Sequence, residues 1–143
     1  MEHTDPADAR ARADANPSDV GAQIDAAYEC DRSGLESEAA VYYDRVWSLG
    51  VPDRERHDFL IGYGSTLRNV GRVEESEEVL RMATGEYGDD LAARSFLALT
   101  LHSAGRSDEA IAVLLDCVVA GGGPGVPRFA RALNSYAEEL GKG

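Results

Sequence analysis

The chain of 143 residues carries 26 acidic against 14 basic side chains, a formal charge of -12. Its length suits one folding unit, and 43% hydrophobic with 28% charged residues permits a packed core and is too apolar for disorder. The negative field opposes nonspecific binding to nucleic acid or to an anionic membrane.

In chain order, residues 1–17 alternate alanine with Asp8, Arg10, Arg12 and Asp14 and lack an apolar stripe, so a frayed helix and a disordered segment are both open. Helices are then predicted over 19–33, 35–49, 54–70, 73–86, 90–104, 107–120 and 127–140, with no strand. The evidence is spacing: Leu60, Tyr63, Gly64 and Leu67, then Val79, Leu80 and Ala83, recur at i, i+3 and i+4. The run from Gly121 to Gly125 has little helix propensity and reads as a turn, and Pro127 suits the first position of the helix that follows.

The sequence also repeats itself. Gly34, Gly71, Gly105 and Gly141 are separated by 37, 34 and 36 residues, a period expected of stacked repeats. The strings around the first three match in kind: Ser33-Gly34-Leu35-Glu36, Val70-Gly71-Arg72-Val73 and Ala104-Gly105-Arg106-Ser107, with Ala39, Ser76 and Ala110 each five residues on. Each unit reads as a helical hairpin whose first helix ends at a left-handed glycine. The small residue five later lets the second helix approach closely.

This pattern resembles the tetratricopeptide repeat, a unit of about 34 residues, and is similar to the small bacterial group-5 class of that family. With the turn glycine as position 15, the small position 8 holds Ala27, Gly64, Ala98 and Asn134, and the bulky position 24 holds Tyr43, Leu80 and Leu114. Gln23 and Arg94 depart from the family at position 4, and Pro52 stands one residue late for its closing proline. The resemblance implies an all-α, right-handed α-solenoid: one domain over 18–143, with repeats near 20–53, 57–90 and 91–124 and a capping helix at 127–140. It also implies an interaction scaffold whose first helices line a concave groove and whose second helices cover the outside.

Carried onto this chain, the groove positions include Tyr28, Asp31 and Arg32 in the first repeat, and Asp58, Ile61, Gly62, Ser65, Arg68 and Asn69 in the second. The third adds Phe96, Leu99 and His102, and the last helix Arg128 and Arg131. The second helices hold most of the acidity, leaving Arg68, His102, Arg128 and Arg131 available to a bound carboxylate or carbonyl. These arginines are open to a second reading, in which they are solvated or pair with Asp31, Asp58 or Glu138. Tyr28 and Phe96 are candidate anchors, with ordinary packing as the alternative; for Leu99 packing is the favoured reading. Ile24 and Tyr28 stand where a chaperone-binding clamp carries lysine and asparagine, so that specificity is not indicated.

No catalytic, metal or cofactor site is visible in the sequence. Glu74, Glu75, Glu77 and Glu78 read as a solvated helix face, and His3, His57 and His102 are scattered. The glycine run lacks the Gly-Lys-Ser/Thr of a phosphate loop. Cys30 and Cys117 fall at packing positions and read as buried small hydrophobes in a reducing compartment. No secretion signal or membrane span is evident, so a cytoplasmic location is expected. The leading expectation is a non-catalytic adaptor holding a protein or peptide segment. The alternatives are self-association through Phe129, Leu133, Tyr136 and Leu140 on the last helix, and a small-ligand-binding protein.

Overall fold

The computed structural model describes residues 4–142, which places His3 outside the described residues. Among the described residues there are eight α-helices and no strand: α1 Pro6–Ala15, α2 Val20–Arg32, α3 Glu36–Leu49, α4 Arg56–Asn69, α5 Val73–Glu86, α6 Leu91–Ser103, α7 Ser107–Gly121 and α8 Ala130–Gly141. Short 3-10 turns at Asp53–Glu55 and Pro127–Phe129 precede α4 and α8. The chain divides after Arg72 into two compact units, the first holding α1 to α4 and the second α5 to α8.

The repeated glycines do what their spacing predicts. Helices α2, α4 and α6 each end into a left-handed glycine, with φ of 75° at Gly34, 88° at Gly71 and 79° at Gly105. The amide after each glycine reaches a carbonyl five residues back: Leu35 to Cys30 and Arg72 to Leu67 at 2.8 Å, and Arg106 to Leu101 at 2.9 Å. Each glycine amide donates to the carbonyl three residues back, on Asp31, Arg68 or His102. This paired closure satisfies carbonyls that the helix end would leave bare. Gly141 differs: it is the last residue of α8, and Lys142 follows it in right-handed helical geometry, so the fourth aligned glycine makes no such turn.

Aspartates start three of the helices. Asp5, Asp19 and Asp90 accept bonds from the first-turn amides of α1, α2 and α6, at 2.8 Å from Ala7, 3.1 Å from Ala22 and 2.8 Å from Ala92, each cap contributing about 1 kcal/mol. Behind these turns the small residues lie where close helix packing needs them: Ala27, Gly64 and Ala98 at position 8, and Ala39, Ser76 and Ala110 at position 20, are all buried. Asn134, aligned with them in the last helix, is exposed. Of the bulky position 24, Tyr43 and Leu80 are buried and Leu114 is exposed.

In the first unit α2 packs on α1 and α3, and α4 packs on α2 and α3. The segment left open between helix and disorder contains α1, which buries Ala9 and Ala13. Its C-terminal end is tied by Gln23, wholly buried, whose amide nitrogen donates to the carbonyls of Ala13 at 2.8 Å and Asn16 at 3.0 Å. That bond explains the polar residue at a normally apolar repeat position. Arg94, the other departure there, similarly reaches back to the Gly88 carbonyl. Asp14 adds a second tie, accepting from Tyr42 at 2.9 Å and from Arg45 at 2.8 Å.

In the second unit Leu80, Leu97, Ala98, Leu101 and Ala110 form the core, with Phe96 and Val113 packed against it. Buried Ser76 and Thr100 satisfy each other at 2.9 Å. One device recurs in both units. The arginine after the turn glycine reaches back to the second helix of the preceding hairpin or repeat: Arg72 grips both oxygens of Asp44, at 2.8 and 3.2 Å, and Arg106 bonds Glu77 at 2.7 Å while holding Glu109. Asp44, Glu77 and Glu109 of the second helices are therefore paired, and such exposed pairs each contribute little stability but add up as a network.

Hydrogen bonds first from Arg45 and then from Tyr42 hold the Asp14 carboxyl below the usual carboxylate range. A depressed folded value means the tie is complete at neutral pH and is lost as pH falls below about 4. We expect the Cα chemical shifts of residues 6–15 to lose helical character in that acid range. Asp14→Asn should show the weakened helix already at neutral pH, and unchanged shifts in both would remove this tie from the account.

Candidate functional site

A concavity of the first unit, about 390 Å³, is lined by Tyr28, Asp31 and Arg32 of α2, Tyr43 of α3, and Asp58, Ile61 and Gly62 of α4. Six of these seven are groove positions that the repeat count assigned, two consecutive first helices supplying three each. Tyr43 is the exception. As a bulky position-24 residue it reads as core, and it is core, but its hydroxyl end reaches the cleft.

Tyr43 is the hub of an aromatic cluster. Its ring lies 5.6 Å from Tyr63 in a stacked arrangement, 5.4 Å from Phe59 edge-on and 6.2 Å from Tyr28. Trp47 adds a parallel stack on Phe59 at 6.3 Å. Pairs of this kind contribute about 0.5–1.5 kcal/mol each beyond the area they bury. The Tyr43 hydroxyl donates to Asp31 at 2.7 Å, and the Tyr63 hydroxyl to Asp44 at 2.6 Å. Burial, followed by the Asp31 charge, pushes the Tyr43 hydroxyl well above the ordinary phenol range, so it stays a donor.

Gly62 makes this geometry possible. A Cβ there would stand 2.4 Å from the Tyr43 hydroxyl oxygen and 3.3 Å from the ring carbon that bears it. A glycine in mid-helix costs about 1 kcal/mol relative to alanine, and that cost was the one sequence signal that a close approach was needed at position 62.

The cleft is acidic. Asp31 and Asp58 line it, and Glu55 lies beside Tyr28, whose hydroxyl donates to it across 3.4 Å. Arg32, the one basic side chain of the lining, is engaged with Glu29 at 2.7 Å. Burial first, then the charges of Glu55, Asp58 and Asp31, raise the Tyr28 hydroxyl above its ordinary value.

Of the residues singled out from the sequence, Tyr28 and Ile61 line this cleft. Ser65, Arg68 and Asn69 lie one or two turns further along α4 and are not part of its lining. Arg68 is half-buried, with its Nε buried and without a hydrogen-bond partner, and it is paired with neither Asp31 nor Asp58. Phe96, Leu99 and His102 belong to α6 of the second unit. Phe96 packs on that unit's core, His102 Nδ1 meets the Ser107 hydroxyl at 2.9 Å, and Leu99 is 45% exposed, so it is not the core residue that packing would make it. Arg128 sits in the 3-10 turn, its guanidinium 5.3 Å from the Phe129 ring, and Arg131 is exposed on α8.

Cys30 is fully buried and Cys117 half-buried, neither in a disulfide. Burial raises both thiols above their ordinary range, the condition of an unreactive thiol. Among the described residues no group of histidine, cysteine or carboxylate side chains is arranged to hold a metal ion, and no helix is long and apolar enough to cross a membrane.

Gly62→Val should destabilise the protein by about 2–3 kcal/mol through overpacking, read by urea unfolding. Gly85→Val is the control, because a Cβ at that helical glycine meets nothing within 4 Å. Equal losses in the two variants would show that the Tyr43 contact does not set the cost.

No curated protein and no solved structure gives a significant match to the chain. A family model does: the TPR_5 model, described as tetratrico peptide repeat, matches residues 21–140. That span takes in the three glycine turns, the paired small residues and the helices that line the cleft, and the chain belongs to the tetratricopeptide repeat family.

Proposed function

We propose that this protein is a non-catalytic interaction module, acting as an adaptor inside the cell, that holds a protein or peptide segment in the cleft between α2 and α4. Family membership supports a scaffold role in general. The observation that carries the finer reading is the cleft itself. Two successive first helices supply six of its seven lining residues, and it combines an apolar side chain, Ile61, and two tyrosines with carboxylates at its edge. Extended or helical segments bind such surfaces by placing one or two side chains in pockets while backbone and rim contacts set the register. With a modest buried area and no large preorganised charge array, affinity in the micromolar range is the expected outcome.

The test is a random peptide library selected against the full chain and counter-screened on Ile61→Trp, whose indole fills the cleft. Ile61 is only partly buried, so this variant should melt as the wild type does. Selected peptides should lose at least about tenfold in affinity for it, the equivalent of about 1.4 kcal/mol. Peptides that bind both proteins equally would remove the cleft as the binding surface.

A second reading, self-association, rests on the second unit. Ile111, Leu114 and Val118 expose one stripe of α7, and Phe129 and Tyr136 stand 57% and 62% exposed in the last turn and helix. Leu133 and Leu140, named with them from the sequence, are half-buried. Sedimentation at micromolar and at millimolar concentration should show a concentration-dependent dimer if this surface pairs with a second copy. A monomer throughout would dismiss it.

A further inference from the structure

The sequence leaves the groove near neutral with arginines available to a partner, whereas the lining of the cleft is acidic. The arginines expected to meet a partner's carboxylate lie elsewhere, and what converges on the open space is negative. Asp31 presents a carboxylate whose Oδ2 is held by the Tyr43 hydroxyl at 2.7 Å, which fixes its position at the wall of the cleft. Asp58, across on α4, has a side chain 81% exposed, its Oδ1 meeting His57 Nδ1 at 2.9 Å. Glu55 borders the same space through Tyr28. The lining's own guanidinium, Arg32, is turned to Glu29. The result is a cavity of about 390 Å³ with carboxylates on two helices, the partly exposed Tyr28 ring beside them and Arg32, the one lining cation, engaged with Glu29.

That combination has a specific complement. A cation near an aromatic ring such as that of Tyr28 gains from its quadrupole, and charge-assisted bonds to a pre-positioned carboxylate are about twice as strong as neutral ones. A neutral or acidic side chain would leave Asp31 and Asp58 desolvated without compensation, a penalty that works as specificity. The long-range field of a chain with net charge -12 adds attraction for a basic segment during encounter.

We propose that the cleft selects a basic side chain, arginine or lysine, of the bound segment and holds it between Asp31 and Asp58 beside Tyr28. This rests on the reading above that the cleft receives a segment, and it adds which residue of that segment is read.

The test is an amide 1H–15N titration of the full chain with four capped tripeptides, acetyl-Ala-Xaa-Ala-amide, in which Xaa is arginine, lysine, citrulline or glutamate. The arginine or lysine probe should shift the amides of Tyr28, Asp31, Asp58, Ile61 and Gly62, and the relative strength of those two arms tells guanidinium from ammonium. Citrulline, which keeps the shape of arginine and lacks its charge, should leave these amides in place, as should glutamate. Asp58→Asn, at an exposed position that leaves the fold intact, should weaken the basic probe by about threefold to tenfold, and added salt should weaken it further. Citrulline acting as well as arginine, indifference to Asp58→Asn, or the absence of shifts at those five amides would each overturn the proposal. Library peptides that lose affinity on Ile61→Trp yet contain no basic residue would defeat this inference and leave the cleft as the binding surface. Peptides indifferent to Ile61→Trp would defeat both.

Discussion

Each turn after a first helix depends on one backbone hydrogen bond that doubles back five residues, and that bond forms only because the residue before its donor can take a positive φ. At Gly34 it closes α2 over the Cys30 carbonyl, and at Gly105 it closes α6 over that of Leu101. The second helix then leaves at an angle that lays it against the first, and Ala27 with Ala39, or Ala98 with Ala110, keeps side-chain volume from forcing the pair apart. A side chain with a Cβ would cost about 1–2 kcal/mol in that left-handed conformation. The turns recur because the same local condition recurs; no long-range information is needed to make them.

What the first unit builds on this frame is an aromatic core with a wet edge. Tyr43 is 1% exposed and packs on three other aromatic rings, yet its hydroxyl, directed to Asp31, stands where Gly62 leaves room. Core packing and the wall of the cleft are therefore one set of contacts. A change that loosens the aromatic stack also moves Asp31, and a site held in this way is stiffer than one carried on loops.

The distribution of charge follows from pairing rather than from counting. The second helices are acidic, and in the sequence they look like a broad negative exterior. Asp44, Glu77 and Glu109 are gripped by Arg72, Arg81 and Arg106, so that part of the charge is locally neutralised. The carboxylates of the cleft lie next to a different balance. Arg32 answers Glu29 and leaves Asp31 and Asp58 facing open space, so the charge that matters to a partner is set by a few side chains and not by the total.

Local backbone chemistry was readable directly. The glycine spacing, the small residues at positions 8 and 20 and the helical periodicity placed seven helices to within a few residues, because each signal acts over a single turn or a single helix contact. Gly141 shows the limit of that method: it aligned with the turn glycines, but it stays within α8 and Lys142 after it keeps right-handed helical geometry, so no left-handed turn forms there. The helix at Pro6–Ala15 was undecided in the sequence because Ala9 and Ala13 gain little by burial on their own; Gln23, ten residues on, and Tyr42 and Arg45 beyond it hold the segment down. The groove register of Tyr28 and Ile61 followed from counting residues. That Tyr43 joins them, that Arg68 stays outside, and that the cleft is acidic were decided only in three dimensions. Side-chain rotamers choose among partners brought close by the fold, and residues such as Asp31 and Tyr43, twelve apart in the chain, have no local rule that pairs them.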